Sequence, residues 1–252
     1  MLGFLGEHVF KSVKNMIKIA HSTQCTLACG VLRRSQWFAS FDAVMISHFV
    51  NTGEFQLIGR GQSLCRSGDK VVSLCVVIEG ILDVSMTSAS GKRHIVSCLE
   101  PGQLMNLIPI MDDQKAIHDA YAHDQTLVLL IPKQIFLEAI DGQPSLARSM
   151  TQLLCRRSRL LYENVSDNAL LPLRARCARM LLTLMTSYGL PRDGGVSISL
   201  KLSQDEFADM LGRTRQSVNR ELKQLERDGI IEMTYSHFII IDEQALNAIV
   251  AV

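Results

Sequence analysis

The pattern of apolar and polar positions changes character twice along the chain. From about residue 55 to 132 it runs in short segments punctuated by glycine. VVSLCVVIEG closes at Gly80, ILDVSMTSASG at Gly91 and KRHIVSCLEPG at Gly102. With Gly68, these glycines stand 12, 11 and 11 residues apart. Short strands with a turn signal at this interval predict an antiparallel barrel or sandwich. DQTLVLLIP supplies a last strand, closed by Pro132.

From 143 to 168 the period becomes helical. Pro144 suits a first helical turn. Leu146, Leu153 and Leu160 recur every seven residues, and Met150, Leu154 and Leu161 widen the stripe. Arg148, Arg156, Arg157 and Arg159 occupy the other faces. Such a stripe serves either core packing or a seam with a second copy of the chain. The seam is the preferred reading, and it names Leu146, Met150, Leu153, Leu154, Leu160 and Leu161 as dimer contacts. Arg157 and Asn164 interrupt its heptads. Leu171-Pro172 breaks the chain before another helix, LRARCARMLLTLMTSYG.

The last segment parses as helix, turn, helix and a two-stranded wing. Ser203 with Glu206 three residues on is a capping box. Phe207, Met210 and Leu211 give the first helix an inward face, and Gly212 permits a left-handed turn at its end. Thr214 caps a second helix on which Val218, Leu222 and Leu225 point one way. Gly229 stops that helix, and IIEMT with HFIIID forms the hairpin.

The second helix carries the chemistry. Opposite its apolar row stand Gln216, Asn219, Arg220, Lys223 and Arg227, with Arg215 at the N-terminal edge. Arginine bonds bidentately to guanine, and asparagine or glutamine to adenine. Recognition helices read bases mainly from their N-terminal turns. Arg215, Gln216 and Arg220 are therefore the expected base readers, and Thr214, Arg213 and Lys201 the expected phosphate contacts.

Composition narrows the classes. The 252 residues carry a formal net charge of +1, which excludes a uniformly basic protein but not a local basic surface. No run reaches the ~18 apolar residues of a membrane helix. The N-terminal stretch interleaves Glu7, Lys11, Lys14 and Lys18 with apolar residues, unlike a signal peptide. It reads as a short amphipathic helix or disordered leader, and the chain as cytoplasmic. The cysteines number seven and are scattered, so no disulfide framework is expected. No nucleophile–base pair, phosphate-binding glycine loop or zinc spacing is found, so the chain is not expected to be an enzyme.

RTRQSVNRELKQLERDGII resembles the recognition helix of the Crp/Fnr family, relatives of the cyclic-AMP receptor protein, and the resemblance extends over about residues 32 to 245. It implies an α+β chain: an antiparallel β-roll (a double-stranded β-helix, cupin-like), a long dimerisation helix and a C-terminal winged helix-turn-helix. Gly68, Gly80, Gly91 and Gly102 match the β-roll turns. The expected division is an N-terminal extension at 1–30, the β-roll sensor at 31–142, the dimer helix at 143–168 and the DNA-binding domain at 169–252. The family's recognition helix runs Arg-Glu-x-x-x-Arg. Here Arg215 and Arg220 take the two arginine positions, which contact bases and backbone, and Gln216 replaces the glutamate. That replacement shifts preference away from the family's usual TGTGA-type half-site.

Cyclic-nucleotide-binding members carry Gly-Glu and then Arg-Ser in the phosphate-binding segment. Counted without gaps from Pro101-Gly102, Asn106-Leu107 and Ile117-His118 stand there instead, with Lys115 as a substitute cation under a shifted alignment. These four residues are the candidate effector pocket. The comparison implies a domain without the cyclic-nucleotide signature and an effector other than cyclic AMP. Iron–sulfur members use a tight N-terminal cysteine cluster, which Cys25 and Cys29 match poorly. Haem would need ligands such as His94, His118 or His123. No cofactor is expected. The remaining options are an unknown small molecule, a cysteine redox signal or no ligand.

The reading is a homodimeric, sequence-specific transcription regulator, with RNA polymerase as a further partner if it activates. The alternative keeps the sensor but gives the C-terminal module a protein-binding role.

Overall fold

A computed structural model describes residues 21–234 and 236–251. They divide into two compact units: the described residues up to 84 with 98–154, and residues 85–97 with the described residues from 155 on.

The first unit opens with α1 (described over 21–34) and α2 (Ala43–Thr52). Its strands are β1 (Glu54–Ile58), β2 (Ser63–Cys65), β3 (Ser73–Glu79), β4 (Leu82–Thr87), β5 (Arg93–Leu99) and β6 (Leu104–Met105). After α3 (Leu107–Met111) come β7 (Asp119–Ala122), β8 (Thr126–Pro132), α4 (Lys133–Gly142) and α5 (Pro144–Leu170), whose residues from Cys155 on belong to the second unit. The strands make two four-stranded sheets, ordered β1-β8-β3-β6 and β2-β7-β4-β5. The outer part of the β4–β5 hairpin, residues 85–97, groups with the second unit.

Strand β3 explains the glycine-bounded runs. Its Cys75 and Val77 face Leu82, Leu99, Ala120 and Val128 between the sheets. Its Leu74, Val76 and Ile78 face the other way, onto Phe49, Phe136 and Leu146 of the helices. A strand covered on both faces loses simple alternation and reads as a continuous apolar run. Gly68, Gly80, Gly91 and Gly102 all have positive φ. At Gly80 a Cβ would also meet the Gln125 carbonyl oxygen at 2.5 Å, so both backbone angle and space call for glycine.

Two expectations change here. The boundary placed at residue 30 falls inside α1, whose Ala28, Val31 and Leu32 are buried in the helix-covered core. Residues 1–20 lie outside the described residues. The helical stripe also divides. Leu146, Met150 and Leu153 are buried in the chain's own core, and Leu154 packs partly buried against it. These four are occupied within one chain, because the N-terminal half of α5 closes over the sheet beside α2 and α4. Leu160 and Leu161 remain 52% and 54% exposed.

The second unit holds α6 (Leu173–Tyr188), β9 (Gly189–Arg192), β10 (Gly195–Ile198), α7 (Gln204–Leu211), α8 (Arg215–Arg227), β11 (Ile231–Thr234), β12 (His237–Ile240) and α9 (Glu243–Val250). The expected wing is larger than a hairpin. Its strands β11 and β12 join β10 and β9 in a four-stranded sheet, with Val196 opposite Ile240.

Candidate DNA-reading surface

The helix-turn-helix is built from local signals. Ser203 Oγ accepts from the Glu206 amide while Glu206 Oε2 accepts from the Ser203 amide, completing the capping box at the start of α7. Two orphan donors are thereby satisfied. Gly212 ends the helix at φ +61°. Thr214 caps α8 by accepting from the Ser217 amide. Val218, Leu222 and Leu225 are fully buried, which fixes the rotation of α8.

Basic side chains take the carbonyls at the C-terminal end of α7. Arg176 of α6, itself buried, donates Nη2 to the Leu211 oxygen at 2.5 Å. His94 Nδ1 lies 2.7 Å from the Asp209 oxygen, so Nδ1 carries the proton and donates. Lys92 Nζ donates to the Gly212 oxygen at 3.2 Å. Cations suit this end of a helix, where unpaired carbonyls carry partial negative charge. Burial raises the Asp209 carboxyl above its ordinary pKa, with Arg93 and His94 opposing that rise.

The rotation set by the buried row leaves Arg213, Thr214, Arg215, Gln216, Arg220 and Lys223 exposed on one connected stretch. Lys201 is exposed just before α7. Asn219 departs from expectation. It is half-buried, and its Oδ1 is sealed from solvent without a partner. It stands three residues before the buried Leu222, at the border of the buried row. The two arginines expected to read bases each meet a carboxylate: Arg215 Nη1 lies 3.2 Å from Asp205, and Arg220 Nη2 3.3 Å from Glu221. Nothing in the local sequence pattern pairs Asp205 of the first helix with Arg215. An acid in a first helical turn is usually read as a partner for the helix dipole.

Residues 175–249 match the family described as Crp-like helix-turn-helix domain, and residues 55–143 match the cyclic nucleotide-binding domain. Together the matches cover more than half of the chain. The chain is a transcription regulator of the Crp/Fnr type. It is similar to the CRP-like cAMP-activated global transcriptional regulator of Mycobacterium tuberculosis, 21% identical over 187 residues, covering 74% of this chain and 84% of that one. It is also similar to the transcriptional activator protein FnrL of Cereibacter sphaeroides, 27% identical over 194 residues, covering 73% and 75%. In fold it is similar to FixK2 from Bradyrhizobium japonicum, with TM-score 0.71, 19% identity and coverage of 79% and 98%. These relatives are regulators rather than enzymes.

The match at 55–143 corrects the expectation that this Crp/Fnr-type regulator lacks the cyclic-nucleotide signature: the domain is recognisable as a whole. The four candidate pocket residues do not share one environment. Leu107 is buried in the helix-covered core, whereas Ile117 is 39% exposed. Asn106 stands just before α3 at φ +70°, without a side-chain capping bond, and His118 is half-buried. The histidines considered for haem are engaged in different places. His94 bonds the Asp209 carbonyl, and His123 Nδ1 lies 3.2 Å from the buried Asp83 carboxylate. Burial pushes the thiols of Cys65 and Cys177 up to about 11 and about 12, and that of Cys75 higher still. At neutral pH these three are thiols, not the nucleophilic thiolates of a redox centre. Among the described residues, no helix is long and apolar enough to cross a membrane.

Proposed function

We propose that α8 enters the major groove of duplex DNA with Arg215, Gln216 and Arg220 on base edges, while Arg213, Thr214, Lys201 and Lys223 contact phosphates. The observation that carries this reading is the opposition on one helix of a fully buried row, Val218, Leu222 and Leu225, and an exposed row that includes Arg215, Gln216, Arg220 and Lys223. The buried row locks the helix in rotation, so the polar row has one fixed outward direction. Gln216 accepts and donates on the pattern adenine offers, which favours an adenine where a glutamate would select cytosine.

The regulator acts as a homodimer. Leu160, Leu161 and Val165, together with Tyr162, expose apolar surface on the second half of α5. Leu161 and Val165 stand four residues apart on one helix face. Two recognition helices related by a twofold axis read a near-palindrome whose half-sites lie about one helical turn apart, roughly 34–36 Å. Its setting is the cytoplasm, where such a DNA target is found, and a small-molecule effector acts through the 55–143 domain. RNA polymerase is a partner where the site position makes the regulator an activator.

In vitro selection from a random duplex pool tests this reading. The enriched sites should be near-palindromes with half-site centres one turn apart. Enrichment of single, unpaired half-sites would contradict the dimer, and no enrichment at all would contradict sequence-specific binding.

A further inference from the structure

Arg215 and Arg220 each pair with a carboxylate, but the two pairs differ. Glu221 adjoins Arg220 on the same helix, and its side chain is only 18% exposed. Asp205 reaches Arg215 across the turn from α7, and its side chain is 64% exposed. The other acids of α7 are otherwise committed. Glu206 Oε2 accepts from the Ser203 amide and hydroxyl, both at 2.7 Å. Asp209 is half-buried beside Arg93 and His94. Asp205 is thus the acid of α7 that stands at the reading surface.

We propose that Asp205 is a specificity-determining residue that competes with DNA phosphate for Arg215. The inference rests on the reading of Arg215 as a base reader. Non-specific binding is carried almost wholly by cations that neutralise phosphates and release counterions. An arginine already neutralised by a carboxylate withholds its share. An exposed ion pair is weak and readily exchanged. Guanine offers N7 and O6 to a guanidinium in a bidentate pair, a geometry one phosphate on a random sequence need not present. Asp205 therefore yields Arg215 to the correct base more readily than to backbone. It lowers affinity for random DNA more than affinity for the operator, and so raises the ratio between them.

Fluorescence anisotropy with the full chain tests this, on a random duplex and on the selected operator, across a salt series. The proteins are wild type, Asp205→Asn, Arg215→Ala and the double variant. Asp205→Asn should tighten random-duplex binding by about three- to tenfold at low salt and steepen the log K against log salt slope by about 0.9, one further phosphate contact. Operator affinity should change less, so discrimination falls. In the Arg215→Ala background the gain should vanish. Unchanged random-duplex affinity and slope in Asp205→Asn would overturn the proposal. So would an equal gain in the Arg215→Ala background, which would make Asp205 a bulk charge only. The base-reading role itself is read separately, from the effect of Arg215→Ala alone on the operator.

Discussion

Arg176 Nη2 and the Leu211 carbonyl oxygen meet at 2.5 Å, joining α6 to the last turn of α7. Arg176 is 6% exposed, so the bond spans a site with little water to replace it. Removing the guanidinium leaves a helix-terminal carbonyl unpaired. Hydrogen bonds to charged groups contribute about 1.5–3 kcal/mol, so Arg176→Met should destabilise the helix-turn-helix by about that amount. Hydrogen-exchange mass spectrometry should show faster exchange in peptides spanning 204–214 and little change in 73–79. Unchanged exchange at 204–214 would mean that Arg176 does not hold the turn.

Gly212 tests the turn from the backbone side. Its φ is +61°, and the nearest atom a Cβ would meet is His94 Nδ1 at 3.6 Å, ordinary contact. The penalty for alanine is therefore conformational, about 1–2 kcal/mol. Gly212→Ala should lower the melting temperature, and Gly212→Asn should lower it less, because asparagine tolerates this conformation better. Equal losses would point to crowding.

The core beneath α8 should be less forgiving. Leu222 is fully buried, and Leu222→Ala should cost about 2–5 kcal/mol in a denaturant titration. DNA affinity should fall with it, since the same row sets the direction of Arg215 and Arg220.

The two halves of α5 should respond differently. Leu160→Lys with Leu161→Lys should shift the regulator from dimer to monomer in light scattering while leaving far-ultraviolet circular dichroism intact. Leu153→Ala, within the chain's own core, should lower stability without changing the mass of the folded species. A folded double-lysine variant of dimer mass would place the seam elsewhere.

These predictions mark what the sequence made legible. The capping box at Ser203 and Glu206, the left-handed Gly212 and the row Val218, Leu222 and Leu225 are local patterns with local causes, and each stands as read. The positive φ of the β-roll glycines was legible for the same reason. Partnership across sequence distance was not. An apolar stripe at Leu146, Met150 and Leu153 records only that something covers it, and a second copy and the chain's own sheet leave the same pattern. The addition of β9 and β10 to the wing sheet rests on the distant pairing of Val196 with Ile240, in a segment without strong alternation. Asp205 and Arg215 stand ten residues apart, and only the turn at Gly212 brings them together.

Acid should weaken the join between α6 and α8. Arg174, by hydrogen bond, and then Gln224 hold the Asp228 carboxyl below its ordinary pKa. The unfolded chain therefore binds this proton more readily than the folded one. The pair's contribution is fully present above about pH 4, and it is lost as pH falls through the lower folded value. In Asp228→Asn, the melting temperature should fall less steeply on acidification below pH 4 than in wild type. Superimposable pH profiles would remove the pair from the acid response.

The most direct test of the central claim, that α8 reads bases, is the operator affinity of Arg215→Ala and Arg220→Ala beside wild type, at one moderate salt concentration. The reading predicts that each substitution weakens the selected operator by about 1–3 kcal/mol and relaxes preference at one base position per half-site. Both variants binding the operator as wild type does, with preference unchanged at every position, would contradict it.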